Sequence, residues 1–270
     1  MSSRPVAEPS WLNFLRAFQL QCRVIGALLM REMHTRYGRE NIGYLWLFGE
    51  PMMLATVIGS LHTSGHTVYG NDMHPLPFAI LGYTIFIMFR GIVNRSEGAL
   101  ESNGPLLYHR MVTALDIVYS RGVLEAAATT VTYIVIISFL SGVGLASMPV
   151  RPLFVIAAIF YMFWISMAHS LIVTAISHDS RTVARLVHPY TYFMIPLSGA
   201  FTQVEWLPEP YRTYLTYMPL PHIFELARYG QFRSATLRYF DFQYLTGFCM
   251  VLTYIGMVAM KLVRNRIHLS

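Results

Sequence analysis

Residues 126–150 read AAATTVTYIVIISFLSGVGLASMPV, and residues 152–176 read PLFVIAAIFYMFWISMAHSLIVTAI. These two apolar stretches contain no Asp, Glu, Lys or Arg, and Arg151 alone separates them. A helix rises about 1.5 Å per residue, so roughly 20 apolar residues cross a hydrocarbon core of about 30 Å. Both stretches exceed that length. The sequence therefore predicts an all-α protein that lies in a lipid bilayer.

The composition of the whole chain agrees with a membrane protein. The 270 residues are 54% hydrophobic and 13% charged, with a mean hydropathy of +0.44. Soluble domains carry about 25% charged residues, so half of the expected charge is missing. The formal net charge is +6, but the basic residues are scattered between apolar runs and form no contiguous patch. We therefore expect no nucleic-acid partner.

Six membrane spans can be drawn, over residues 42–61, 76–93, 126–146, 153–176, 186–204 and 242–260. We predict a polytopic protein of one domain, in which residues 1–41 and 261–270 are tails and residues 42–260 form the bundle. The predicted segments on the side of the termini hold 15 Lys and Arg residues, and those on the other side hold 5. Lys and Arg concentrate in cytoplasmic loops, so we expect both termini in the cytoplasm.

Residues 11–33 form an amphipathic stretch before the first predicted span. Trp11, Phe14 and Phe18 recur at helical spacing, while Arg16 and Arg23 fall mostly elsewhere. Such a helix lies in the membrane interface, with its apolar face in the acyl boundary and its arginines toward lipid phosphates. A charged elbow, Arg-Glu-Met-His-Thr-Arg-Tyr-Gly-Arg over residues 31–39, then leads into the first span.

Glu50 is an acidic residue inside a predicted span. Charged residues within a membrane usually face a bundle interior or a wet cavity. Two interpretations remain open at this point: Glu50 pairs with an arginine such as Arg90, or it lines a translocation path.

Residues 202–243 contain four prolines, at positions 208, 210, 219 and 221, so no continuous helix can cross this segment. We predict short helices over residues 210–217 and 221–231 that dip into the outer leaflet as re-entrant pieces. The alternative is an ordinary outer loop with an aromatic belt.

Three segments, in this order, resemble the permease subunit of the polysaccharide-exporting ATP-binding-cassette transporters, of the capsule-export kind. The first is the elbow of residues 31–38 with Gly43, Trp46 and Glu50-Pro51 after it. The second is Glu-Gly-Ala-Leu-Glu-Ser-Asn-Gly-Pro-Leu-Leu-Tyr over residues 97–108, ahead of Ala-Leu-Asp over 114–116. The third is Leu207-Pro208 and then Met-Pro-Leu-Pro-His-Ile-Phe-Glu-Leu-Ala-Arg over residues 218–228, where this family usually has Asn in place of Met218.

The resemblance implies a homodimer joined to two copies of a separate ATPase subunit in a bacterial inner membrane. It also implies a polysaccharide substrate that passes between the two permeases, contacts with membrane lipids, and periplasmic and outer-membrane export proteins as further partners. The chain itself contains no G-x-x-x-x-G-K-[ST] phosphate loop. We therefore expect no catalytic residue, metal site or cofactor in this chain, and ATP and Mg²⁺ bound by the partner.

We predict that residues 96–109 form the coupling helix that contacts the ATPase; the alternative is a solvated connector between two spans. The candidate residues of the coupling helix are two carboxylates for charge pairing and four apolar anchors, namely Glu97, Glu101, Leu100, Leu106, Leu107 and Tyr108. The elbow would contact lipid phosphates or the same ATPase. Its candidate residues are Arg31, Arg36, Tyr37 and Arg39.

A glycan path needs walls that tolerate hydroxyl groups, and aromatic faces and Tyr hydroxyls provide them. The candidates are Tyr44, Trp46, Glu50, Tyr190, Tyr192, Tyr211, Tyr214 and Tyr217.

Other classes of protein remain open from the sequence. The same permease architecture could export O-antigen, a lipid or a drug, because the permease alone does not name its cargo. An intramembrane transferase would need a catalytic pair, but the histidines show no H-E-x-x-H or nucleophile spacing. A channel or secondary transporter would carry paired charges in several spans, whereas only Glu50 and Arg90 stand out.

Overall fold

The computed structural model describes residues 10–37, 49, 52–57, 60, 72–107 and 112–267. Its longer elements are helices, numbered here in chain order: α1 Ser10–Tyr37, α2 Pro75–Ser96, α3 Ala114–Gly142, α4 Pro152–Asp179, α5 Arg181–Ser198, α6 Tyr211–Thr216, α7 Pro219–Gln231 and α8 Phe242–Ile267. Single helical turns occupy Glu101–Asn103, Gly104–Leu107 and Val204–Trp206.

Four of these helices are long and apolar enough to cross a membrane: α2, α3, α4 and the part of α8 over Phe242–Arg264. They confirm the second, third, fourth and sixth predicted spans. The first predicted span lies mostly outside the described residues. Residues 52–57 within it are helical, and Ala55 packs with Ile80 of α2 and Ile136 of α3.

The fifth predicted span corresponds to α5, whose limits differ from the prediction. The helix begins at Arg181 and ends at Ser198, whereas the prediction ran over residues 186–204. Gly199 has a φ of 73°, a left-handed conformation that ends helices and favours glycine. Pro196 did not stop the helix, and Gly199 did. Unlike α2, α3, α4 and α8, α5 is not apolar enough along its length to count as a span on that ground alone.

Helix α4 lies at the centre and packs against α2, α3, α5, α7 and α8. Its sequence is apolar on every face, which is typical of a membrane span, and Leu153, Ile156 and Phe160 on its outward side are exposed. Proline at its first position, Pro152, suits a helix start because that N–H would have no partner. The fully buried Met162, Ile165 and Leu171 of α4 form the main core together with Phe89 of α2 and Phe224 of α7.

The predicted re-entrant segment contains both expected helices, as α6 and α7. Every residue of α7 except Tyr229 is buried. Its carboxyl end meets the start of α4, where the Gly230 carbonyl accepts from the backbone N–H of Arg151 at 2.8 Å. The Arg151 guanidinium donates to the carbonyls of Tyr229 (2.8 Å) and Phe232 (3.2 Å). The two helix ends therefore form one joint.

Candidate functional site

The connection between α2 and α3 folds into a compact turn, here called the connecting turn (residues 97–107). Gly98, with a φ of 61°, reverses the chain after α2. Ala99 and Leu100 then point inward and are 1% and 3% exposed. The Asn103 side-chain amide donates to the Ala99 carbonyl at 3.0 Å and closes the turn. The turn thus has an apolar inner side and a polar outer side.

The predicted ATPase-coupling residues fall on both sides of this turn. Glu101 is exposed, and Leu106 and Leu107 are half-buried. Leu100 lies in the main core, so it holds the turn from within and presents no surface to a partner. A carboxylate oxygen of Glu97 lies 3.2 Å from Nδ1 of His188 on α5. Tyr108 lies outside the described residues.

Arg121, on the second turn of α3, contacts three other elements. Its Nη1 donates to the Arg95 carbonyl at the end of α2, and its Nη2 donates to Ser102 Oγ in the connecting turn, both at 3.0 Å. Its Nε lies 3.4 Å from a carboxylate oxygen of Glu32 on α1. One side chain therefore joins α1, α2, α3 and the connecting turn.

A second ion pair lies one helical turn further along α3. Glu125 Oε2 is 2.5 Å from Nε of Arg95, and the Glu125 side chain is 10% exposed. Glu125 reaches this position because α2 has glycine at residue 91: a Cβ there would lie 2.5 Å from Glu125 Oε1. Glu125 thus binds the guanidinium of Arg95, and Arg121 binds the backbone carbonyl of the same residue.

Helix α1 is fixed to the same region by polar and apolar contacts. Gln21 donates to the carboxylate of Asp116, which also belongs to the capping box of α3 with Thr113. Arg31 donates to Asn103 Oδ1 in the connecting turn at 2.9 Å. Leu29 and Met33 pack against Leu124 and Ala128 of α3. Nearer the start of α1, Trp11, Phe14 and Phe18 lie on the same face of the helix as Leu29 and are 60–70% exposed.

The elbow residue Arg31 has a partner within its own chain. We expected Arg31 to hold lipid phosphate or the ATPase, but it contacts the connecting turn of its own chain. Arg36 and Tyr37 belong to the end of α1, and their side chains lie outside the described residues, as does Arg39.

The predicted translocation residues that the structure describes lie in different places on the chain. Tyr190 lines an apolar recess with Phe89 and His169, and this recess of about 170 Å³ is smaller than the roughly 300–1,000 Å³ of ligand pockets. Tyr192 is 52% exposed and lies under the Arg90 guanidinium, at 3.9 Å. Three further tyrosines are exposed at the opposite end of the molecule: Tyr211, Tyr214 and Tyr217. Tyr44, Trp46 and Glu50 lie outside the described residues.

Comparison with known proteins identifies the family. The model of the ABC-2 type transporter family matches residues 23–232. The chain belongs to the ABC-2 type transporter family. The matched region extends from α1 to the end of α7 and contains the connecting turn and Arg121.

Individual ABC-2 relatives match along nearly their whole length. The capsule polysaccharide export inner-membrane protein CtrC of Neisseria meningitidis serogroup B is 36% identical over 245 residues, which is 91% of this chain and 92% of CtrC. The capsule polysaccharide export inner-membrane protein BexB of Haemophilus influenzae is 32% identical over 92% of this chain and 94% of BexB. The polysialic acid transport protein KpsM of Escherichia coli is 27% identical over 89% and 93%.

Sequence reasoning did not identify Arg121, Arg95, Glu125 or Asp116 as parts of this site. A signal was available, because α3 has 29 residues whereas its uncharged part begins only at Ala126. The charged first three turns are additional to what a membrane span requires. What the sequence could not provide is the pairing of these charges with α1, which is about 90 residues away along the chain.

Proposed function

We propose that this multi-pass chain is the membrane-spanning subunit of an ATP-driven exporter that carries capsular polysaccharide across the bacterial inner membrane. The observation that carries the proposal is the 36% identity to a capsule polysaccharide export inner-membrane protein over nine-tenths of both chains. The helical, multi-span architecture supports it, because a permease needs no reactive side chains of its own.

The motor in this proposal is a separate ATPase that binds ATP and Mg²⁺ and contacts the connecting turn. The exposed carboxylate of Glu101 and the half-buried Leu106 and Leu107 offer the combination of charge and apolar anchors that protein interfaces use. The turn is braced from inside by Leu100 and Asn103. A braced turn transmits force better than a loose loop would.

The second copy of the chain in this proposal meets the first along α5. Tyr192 and Phe193 are 52% and 73% exposed, and the same face carries the exposed Pro189 and Pro196. By contrast, the exposed face of α8 is built of Met250, Val251, Ile255 and similar apolar residues that suit lipid. A polysaccharide passing between two copies would then touch Tyr192, and at the outer end Tyr211, Tyr214 and Tyr217.

The transport function is tested by deleting the gene for this chain from its host and restoring it on a plasmid. Surface polysaccharide is measured by immunoblot of intact cells, and total polysaccharide by the same blot after lysis. The expected result is loss of the surface signal with retention of polysaccharide inside the cell, reversed by the plasmid. Surface polysaccharide at the normal level after deletion contradicts the proposal.

The docking assignment is tested separately with the double variant Leu106→Asp/Leu107→Asp. Two buried charges at an apolar contact should reduce copurification of the ATPase at least tenfold, while the permease stays in the membrane fraction. The matched control is Leu145→Asp/Met148→Asp, because both residues are 52% exposed and lie beyond the other end of α3. Copurification that survives the first double variant contradicts the docking assignment without touching the transport function.

A further inference from the structure

We infer that Arg121 is a positioning residue that makes the connecting turn, α1 and the end of α2 move as one body during transport. The inference rests on the proposed function, since it concerns how motion at the ATPase contact reaches the spans. Arg121 itself touches neither ATP nor polysaccharide in this account.

The geometry of the contacts comes first. The two hydrogen bonds of Arg121 go to a backbone carbonyl of α2 and to a hydroxyl of the connecting turn, and its ion pair is with a carboxylate of α1. Glu32 is more than 60 residues away from Arg95 and Ser102 along the chain. The guanidinium has five N–H donors in a fixed fork, so it can hold several acceptors in one rigid arrangement, whereas a lysine ammonium cannot match that geometry.

The environment makes these contacts strong enough to matter. The side chains of Arg121 and Glu32 are each 15% exposed, so solvent screens their ion pair only partly. A helix of 29 residues is about 43 Å long, against about 30 Å of hydrocarbon. Arg121 lies in the first two turns of α3 and therefore at the membrane boundary, between the ATPase contact and the spans.

Two neighbouring contacts join the same elements as Arg121 does. Arg31 of α1 holds Asn103 of the same turn at 2.9 Å, and Arg95 is held by Glu125 at 2.5 Å. Arg121 is the side chain that connects these two pairs. Without it, Gln21, Leu29 and Met33 of α1 still contact α3, and Arg31 still contacts Asn103. The link from Glu32 through Arg121 to Ser102 and to the Arg95 carbonyl is lost, so the turn is held less firmly to α1 and to α2.

A coupling role differs from a merely stabilising role in what a variant loses. Arg121→Met removes the donors but keeps a long side chain. We expect the ATPase still to copurify and to hydrolyse ATP, with surface polysaccharide per ATP hydrolysed falling at least tenfold. Arg121→Lys keeps the charge and should recover only part of this ratio. The matched control is Arg238→Met, an exposed arginine of the outer segment, which should leave the ratio unchanged.

A charge exchange tests the pairing with α1. Arg121→Glu and Glu32→Arg should each lower the transport ratio, and the double variant should recover part of it because an ion pair is restored. A double variant no better than the worse single variant contradicts the contribution of Glu32.

A distance measurement tests the inference even if a variant transports no polysaccharide. Spin labels on Met30→Cys and Pro105→Cys, both exposed positions, report the distance between α1 and the connecting turn in purified complex whose Cys22 and Cys249 are replaced. We expect one narrow distance distribution with and without ATP in the otherwise unchanged chain, and a broad one with Arg121→Met. An unchanged narrow distribution, or a full transport ratio in Arg121→Met, overturns the inference. Loss of ATPase copurification in the Leu106→Asp/Leu107→Asp variant bears only on docking.

Discussion

Arg228 has the lowest exposure of any charged side chain among the described residues, at 2%. It sits on α7, donates to the carbonyls of Gly199 and Ala200, and pairs with Glu225 at 3.2 Å. Its guanidinium also lies 4.5 Å from the ring centroid of Phe78 on α2. Arg228 therefore binds the first two carbonyls after the end of α5.

Glu225→Gln should be strongly destabilising, because it leaves a buried arginine without its counter-charge. Breaking one partner of a buried ion pair costs about 3–5 kcal/mol. The matched control is Glu209→Gln, which removes a pair with Arg212 whose carboxylate is 58% exposed. Exposed pairs contribute about 0–1 kcal/mol. Thermal unfolding of the purified protein in detergent measures both, and equal losses would show that burial does not govern these pairs.

Asp72 should make the contact between the start of α2 and residues 233–234 sensitive to acid. Partial burial raises the pKa of Asp72, but the hydrogen bonds from the Ser234 hydroxyl and from the backbone N–H groups of Arg233 and Ser234 outweigh it and hold the pKa below its usual value. A carboxylate whose folded pKa is lowered contributes stability that is complete above its unfolded pKa of about 3.9 and is lost as the pH falls through the folded value.

Asp72→Asn should accordingly lower stability at pH 7 by about 1 kcal/mol, as expected for losing hydrogen bonds to a charged acceptor. The deficit relative to the unchanged protein should shrink as the pH is lowered below 4. Unfolding curves of both proteins at several pH values give the comparison. If Asp72→Asn lowers the free energy of unfolding equally at pH 7 and pH 3, the effect comes from altered packing and not from the lost charge.

At the scale of elements, α2 approaches the start of the outer segment so closely that only glycine fits. A Cβ on Gly82 would lie 1.9 Å from the Ala200 carbonyl oxygen, which is backbone and cannot rotate away. This contact joins the middle of α2 to the residues that end α5. The spacing of the two elements thus depends on a missing side chain.

Gly82→Ala should force α2 and residues 199–200 apart. Overpacking of this kind costs about 1–3 kcal/mol, despite the higher helix propensity of alanine. Gly247→Ala on α8 is the control, since a Cβ there meets nothing within 4 Å, and it should be neutral or slightly stabilising. Thermal unfolding in the same detergent separates the two. Equal melting temperatures for the two variants would contradict the close approach.

The elements were largely predictable from the sequence, and their ends were less so. Apolar length alone located α2, α3, α4 and α8, because the bilayer sets how many residues a span needs. The charged first three turns of α3 were missed as helix, since a hydropathy argument has no reason to include Asp116 or Arg121. The inward position of Leu100 was missed as well, because a turn with leucine on both sides shows no periodicity that separates its inner from its outer face.

At the scale of the whole molecule, the exposed face of α5 predicts where two copies meet in the proposed homodimer. A symmetric dimer places residues near its twofold axis against their own counterparts. With Cys22 and Cys249 replaced, Phe193→Cys should give a cross-linked dimer with a short bifunctional maleimide in membranes. Tyr254→Cys on α8 is the control, because Tyr254 is equally exposed, at 72%, on the face assigned to lipid. Cross-linking through Tyr254 and not Phe193 would move the interface to α8.

The joint between α7 and α4 has a further consequence for the assembly. The positive dipole end of α4 meets the negative dipole end of α7, and Arg151 and Gln231 occupy the remaining carbonyls, including that of Ser147 at 2.7 Å. Because the polar groups at this joint already have hydrogen-bond partners, water and ions gain little by entering it. An exporter must keep its membrane tight while a large hydrated chain crosses it. We therefore expect the joint between α7 and α4 to stay closed during transport.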